Sequence, residues 1–259
     1  MATRLHHLRA RFLPHGPLDL ARQVVLFFCA YYAYGLVRGA VDDPTGAAVA
    51  FENARRLISV ENGLHVFVEP SVQAWAQSVP VIMDAASWIY LNAQTSVTLG
   101  ALAYLYLFHN ESFYFVRNMF MVAMGIALIG YIAFPTAPPR FFPEWGFFDT
   151  VSDVVGVQPN DPVNALFNPY AAVPSMHVCF ALMIGVPLSR LCVNRVARVF
   201  WTTYPALVVF VIVATGNHFL ADAFLGALTA AGAAFAARGL GRTRPAAWAF
   251  SPAGGELAT

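Results

Sequence analysis

Apolar residues dominate six stretches of the chain, roughly 22–40, 85–108, 115–134, 174–192, 198–216 and 218–238. Each approaches the ~20 residues a helix needs to cross a bilayer. The second is interrupted by Asn92, Gln94, Thr95, Ser96 and Thr98. Between the first two lies a different pattern. Residues 51–76, FENARRLISVENGLHVFVEPSVQAWA, mix Phe51, Leu57, Ile58, Leu64, Phe67, Val68, Val72 and Trp75 with Glu52, Arg55, Arg56, Glu61 and Glu69. That mixture predicts amphipathic helix lying at the interface, broken near Gly63 and Pro70. The expected fold class is all-α, a polytopic bundle of six transmembrane helices with an interfacial helix. It divides into a basic leader at 1–21, one membrane-embedded domain at 22–238 and a disordered tail at 239–259. The first span lacks a clear small-x-small cleavage site and is read as a retained helix.

Composition agrees. The chain is 58% hydrophobic and 11% charged, outside the range of soluble domains. Every basic residue other than histidine is arginine, and those arginines set the orientation. With the N-terminus inside, Arg4, Arg9, Arg11, Arg22, Arg117, Arg190, Arg195, Arg198, Arg238, Arg242 and Arg244 are cytoplasmic. Only Arg38, Arg55, Arg56 and Arg140 fall on the other side. Both termini are therefore expected inside and the segments 41–84 and 135–173 outside. The net charge of +1 and the lack of a basic stripe point away from nucleic acid. Cys29, Cys179 and Cys192, an odd set in or beside spans, argue against a disulfide framework. No cysteine–histidine cluster or acidic cluster calls for zinc or magnesium, so no cofactor is expected.

Three polar segments converge on the outer boundary. The prolines of FPTAPPRFFP, 134–143, stiffen a loop that carries Arg140, a guanidinium suited to phosphate or to a lipid headgroup. VPSMH opens the fourth span. Pro174 suits a first helical turn, Ser175 suits the cap, and the helix start favours an anion beside His177. In TGNHFLADAFLG, His218 and Asp222 stand four apart, so they are expected on one helix face. A carboxylate inside an apolar span is costly unless paired, and an imidazole partner would fix that ring's tautomer. An arginine, a helix start, two histidines and a carboxylate suit phosphoryl transfer. Taken singly, the same features can also be read as an interfacial arginine, an ordinary cap and a structural His–Asp pair.

Together PSMH and HFLAD resemble the second and third motifs of the type 2 phosphatidic acid phosphatase superfamily. FPTAPPR, VPSMH and GNHFLAD look most like its inositol phosphorylceramide synthase (aureobasidin-resistance) branch, over residues 50–235 or so. The resemblance implies His218 as a nucleophile that becomes phosphohistidine, with Asp222 orienting it. It implies His177 as general acid and then base, and Ser175 and Arg140 as phosphate-binding positions. Met176 replaces a glycine of the phosphatase pattern, Val211 and Ile212 replace its Ser-Arg, and its leading lysine is not evident. These departures fit the headgroup-transferase branch.

The expected function is thus a membrane lipid phosphotransferase, inositolphosphotransferase-like, acting on membrane lipid substrates. A lipid phosphate or polyprenyl diphosphate phosphatase of the same superfamily is the alternative. A transporter using His218 and Asp222 as a proton relay, and an inactive relative, are rivals of other classes. The stretch 51–76 is read as an anchor or as a frame for lateral substrate entrance. His6, His7, His15, His65 and His109 are read as interfacial or solvent-facing. Asp149, Asp153, Asn160, Asp161 and Asn164 of the outer loop are read as solvated, with contact to a sugar-like headgroup as the other possibility.

Overall fold

The computed structural model describes residues 13, 15–40, 44–150 and 170–244. Among these every element is helical, apart from one isolated bridge between Thr136 and Ala171. Helix α1 covers Gly16–Ala40, α2 covers Pro44–Gly63 and α3 covers Glu69–Ser78. Helix α4, Pro80–Trp88, runs through one π-helical turn, Ile89–Ala93, into α5, Gln94–Phe108. Helix α6 is Asn110–Ala133, followed by two short 3-10 turns at Pro139–Phe141 and Pro143–Trp145. Helices α7, Met176–Leu191, α8, Arg195–Ala214, and α9, Leu220–Thr243, complete the bundle.

Helices α6, α8 and α9 are each long and apolar enough to cross a membrane. The other predicted spans coincide with α1, the α4–α5 run and α7, which is apolar but 16 residues long. The outward surface supports a bilayer setting. Phe224 and Phe235 of α9 are 64% and 81% exposed, and Phe28, Tyr31, Tyr32 and Leu36 line an open face of α1. Apolar surface on this scale needs acyl chains rather than water. The polar interruptions of the second span do not stop its helix. Asn92 Nδ2 and Ser96 Oγ donate to the carbonyls of Trp88 and Asn92, at 2.9 and 2.6 Å, so neither is left unbonded.

Helix α7 is the centre, in contact with α5, α6, α8 and α9. That position explains its apolar circumference: Val178, Cys179, Ala181, Met183, Ile184 and Leu188 are all buried. Glycines set its spacing. A Cβ on Gly130 of α6 would lie 2.7 Å from Pro174 Cδ, and one on Gly226 of α9 would lie 2.3 Å from the Ser175 carbonyl oxygen. Both backbones therefore approach α7 more closely than any side chain allows.

The two ends of the bundle differ. At one, Ala50, Ala54 and Ile58 of α2 pack with Phe142, Phe147 and Phe219, so the amphipathic segment caps the helix ends. The predicted break is present, with α2 ending at Gly63 and α3 starting at Glu69. At the other end, Asp19 accepts hydrogen bonds from Gln23, Tyr106 and Tyr114 at 3.0, 2.9 and 2.7 Å. Arg117 donates to Gln23 Oε1 and Asn118 Oδ1, at 2.9 and 2.7 Å, and is 8% exposed. Counted from sequence among the cytoplasmic arginines, Arg117 is a buried tie between α1 and α6.

Candidate functional site

Helix α8 ends at Ala214 and the chain turns back through Gly216, whose φ of +66° is a glycine conformation. The Ile212 carbonyl accepts from Asn217 and His218 N–H, at 3.0 and 3.2 Å, which folds the turn against the helix it leaves. Phe219 is the N-cap of α9, so His218 precedes the helix instead of sharing its face with Asp222. The two meet because Asp222 reaches back. Its Oδ2 accepts from Phe219 N–H at 2.9 Å and lies 3.3 Å from His218 Nδ1. Asp222 is fully buried and His218 is 6% exposed.

The start of α7 closes against this turn. The helix begins at Met176 with Ser175 as N-cap, so Pro174 lies before the cap and not in the first turn. Ser175 N–H donates to the Asp222 carbonyl at 3.1 Å. Its side chain makes no capping bond; Oγ is buried with no hydrogen-bond partner among the described residues. The His177 ring stacks on Tyr90 at 4.6 Å between centroids and stands edge-on to His218 at 5.4 Å. Tyr90 sits in the π-helical turn, an element often found at functional sites.

Arg140 enters from the proline-rich loop. Its N–H donates to the Gly216 carbonyl at 2.8 Å and its guanidinium hydrogen-bonds Asn217 Oδ1. The Nε is buried without a hydrogen bond, 3.8 Å from Asp149 Oδ1. The loop itself is held by α2, where Asn53 Nδ2 donates to the Pro135 carbonyl at 2.9 Å. Arg140, Ser175, His177, His218 and Asp222 thus occupy one cluster, as their sequence positions suggested. It lies at the end of α7, α8 and α9 opposite Arg190, Arg195, Arg198, Arg238 and Arg242.

Sequence reasoning missed several neighbours. Glu69 Oε1 accepts Leu220 N–H at 2.8 Å and Glu61 Oε1 accepts Ala221 N–H at 2.7 Å. With Asp222, three carboxylates therefore take the first N–H groups of α9. Glu61 and Glu69 are 2% and 0% exposed. Burial pushes the Glu61 carboxyl up to about 8, with Glu69 and Asp222 adding to the rise against the Ala221 N–H. Gln73 clasps Phe148 in both directions, at 3.0 and 3.1 Å, beside Gly216. A signal for these residues exists. Glu61 continues the helical stripe of Ala50, Ala54 and Ile58, and Glu69 and Gln73 share a stripe with Ala76, so polar groups occupy core positions.

Of the outer-loop polar residues, Asp149 faces Arg140, while Asp153, Asn160, Asp161 and Asn164 lie outside the described residues. No group of three or more His, Cys, Asp or Glu among the described residues is arranged to hold a metal ion. The chain matches the family model of the PAP2 superfamily over residues 55–237, a range that holds all five clustered residues. No curated protein and no solved structure matches it. With more than half of its length matched, the chain belongs to the PAP2 superfamily, whose members are phosphatases or phosphotransferases.

Proposed function

We propose that this protein is a lipid phosphotransferase that moves a phospho-headgroup between membrane lipids through a phosphohistidine on His218. The supporting observation is the pairing of His218 Nδ1 with Asp222, 3.3 Å apart, with the His177 ring 5.4 Å from that of His218. A proton on Nδ1, held by Asp222, leaves the Nε2 lone pair for attack on phosphorus. As the N–P bond forms, the P–O bond to the leaving alcohol breaks, and His177 gives that oxygen its proton. In the second half, His177 takes the proton of an acceptor hydroxyl. The hydroxyl oxygen attacks phosphorus and the N–P bond breaks, restoring His218. Ser175 Oγ, buried and unbonded, and the Arg140 guanidinium, whose Nε makes no hydrogen bond and faces Asp149 at 3.8 Å, are the donors for phosphate oxygens.

Transfer is favoured over hydrolysis by what is lacking. Val211 and Ile212, at the Ser-Arg positions of the phosphatase pattern, are 2% and 0% exposed and turn only carbonyl oxygens toward the site turn. Phosphate then relies on Arg140 and neutral donors. A proton relay across the membrane has little support. Phe120, Ala123 and Ala127 of α6 and Met183 and Ile184 of α7 fill the space between the site and the Asp19–Arg117 network. The full topology belongs to the same proposal: six spans, both termini cytoplasmic and the site at the extracytoplasmic boundary.

The test uses purified protein in detergent with labelled phosphatidic acid, a polyprenyl diphosphate, and phosphatidylinositol plus a diacylglycerol or ceramide acceptor, with His218→Ala alongside. A new phospholipid, absent with His218→Ala, is the expected result. Free phosphate lost in that variant makes the protein a phosphatase. Equal activity in the variant removes His218 as nucleophile.

A further inference from the structure

The carboxylates of Glu61 and Glu69 arrive at α9 from the membrane-surface segment, 160 and 151 residues away in sequence. Each has one oxygen on a backbone N–H and the other, Oε2, buried with no hydrogen-bond donor among the described residues. The two carboxylates hold the N–H groups of adjacent residues, Leu220 and Ala221, so they stand side by side on one turn of α9. Two ionised carboxylates cannot bond to one another, whereas a carboxylic acid donates to a carboxylate. Were all three carboxylates ionised, three negative charges would crowd one dry helix turn, more than a helix N-terminus offsets. No metal geometry among the described residues relieves the charge. A shared proton does, and it satisfies both orphan oxygens at once.

We propose that Glu61 and Glu69 are positioning residues that share one proton and clamp the first turn of α9, fixing where Asp222 presents its carboxylate to His218. The clamp rests on the reading of His218 as nucleophile only for its consequence in catalysis. Its physical content is independent. Helix α9 starts two residues after His218, and Leu220 and Ala221 are its first two residues. Holding their N–H groups from α3 and α2 sets the helix origin, and with it the reach of Asp222 Oδ2 to the imidazole. Burial raises the Glu61 carboxyl to about 8, facing Glu69 on α3 and Asp222 on α9, with His218 beyond Asp222, so the pair keeps its proton through neutral pH.

The test uses the full chain in detergent. Infrared titration reads the protonated carboxyl directly, amide hydrogen exchange reads Leu220 and Ala221, and headgroup transfer from phosphatidylinositol to a diacylglycerol or ceramide acceptor reads kcat and KM. The wild type is expected to lose a protonated-carboxyl band between pH 7 and 9.5. Glu61→Gln is expected to lack the band yet keep slow exchange and at least half the turnover. Its amide donates to Glu69 while its oxygen still accepts from Ala221 N–H. Glu61→Ala is expected to exchange Leu220 and Ala221 at least tenfold faster and to lose about tenfold in kcat at unchanged KM. A band that persists in Glu61→Gln and in Glu69→Gln overturns the shared proton. Unchanged exchange in Glu61→Ala, or Glu61→Gln as slow in turnover as Glu61→Ala, overturns the clamp. If His218→Ala transfers the headgroup normally, the nucleophile reading falls while infrared and exchange still decide the acid pair.

Discussion

Ser175 Oγ is buried with no partner among the described residues, and a buried hydroxyl left unbonded is a burden on the fold. Removing it should therefore leave stability intact. Ser175→Ala is expected to melt within about 0.5 kcal/mol of the wild type in unfolding free energy while losing about tenfold in turnover, the range of a single lost donor to a developing oxyanion. Equal turnover would show that Oγ is not aimed at phosphate. Asp222 separates folding from chemistry in a second way. Asp222→Asn keeps an oxygen for Phe219 N–H but turns an amide N–H or a neutral oxygen toward His218 Nδ1. A folded protein with kcat down about 10²–10⁴-fold is expected from mis-set tautomers. These residues are legible in the sequence because their signals are local, an acid four positions after a histidine and a serine at a helix start. Glu61 and Glu69 act on atoms 160 and 151 positions away, and only the pairing in space shows it. Their sole trace in sequence is a charge on an apolar stripe, which amphipathic averaging hides.

Among the elements, α7 and α9 are held apart by almost nothing. A Cβ at Gly226 would stand 2.3 Å from the Ser175 carbonyl oxygen, inside the contact that carries Ser175 N–H to the Asp222 carbonyl. Gly226→Ala is expected to destabilise by about 1–3 kcal/mol and to lower turnover, since the helices must separate where the site is built. Gly232→Ala on the same helix is the control. Its Cβ would meet only Ile126 Cδ1 at 4.0 Å, so stability should hold or rise by up to about 1 kcal/mol. Helices α2 and α3 couple to α9 through a proton. Glu61 binds it up to about pH 8 in the fold against an ordinary value of 4.5. The folded protein thus binds more protons than the unfolded chain between those values. This contribution to stability is complete below pH 4.5 and is lost as pH rises through 8. Thermal scans from pH 5 to 9 should show the wild type declining more than Glu61→Gln, and parallel curves would remove Glu61 as the linked group.

At the scale of the whole molecule, the bundle is polarised. One end carries the site and the α2–α3 cap; the other carries the α7–α8 turn and the arginines Arg190, Arg195 and Arg198. Arginine counting makes this polarity readable from the sequence, because a helix start and the end of the preceding helix must share a side of the membrane. Arg117, counted with those arginines, lies at that same end but is buried at 8% exposure and bonded to Gln23 and Asn118. Sidedness is therefore a prediction about the entire chain. Replacing Cys29 and Cys192, the two cysteines that are not buried, clears the background. A single cysteine is then placed at Glu144, an exposed position beside the site end, or at Val193, which is 91% exposed in the α7–α8 turn. An impermeant maleimide on intact cells should label the Glu144→Cys protein, and the Val193→Cys protein only after permeabilisation. The reverse pattern would invert every helix at once, carrying Arg140, Ser175, His177, His218 and Asp222 to the cytoplasmic face together. Their shared side does not depend on the outcome, since the turn between α8 and α9 and the start of α7 are bonded to each other, so the experiment decides which leaflet supplies the lipid.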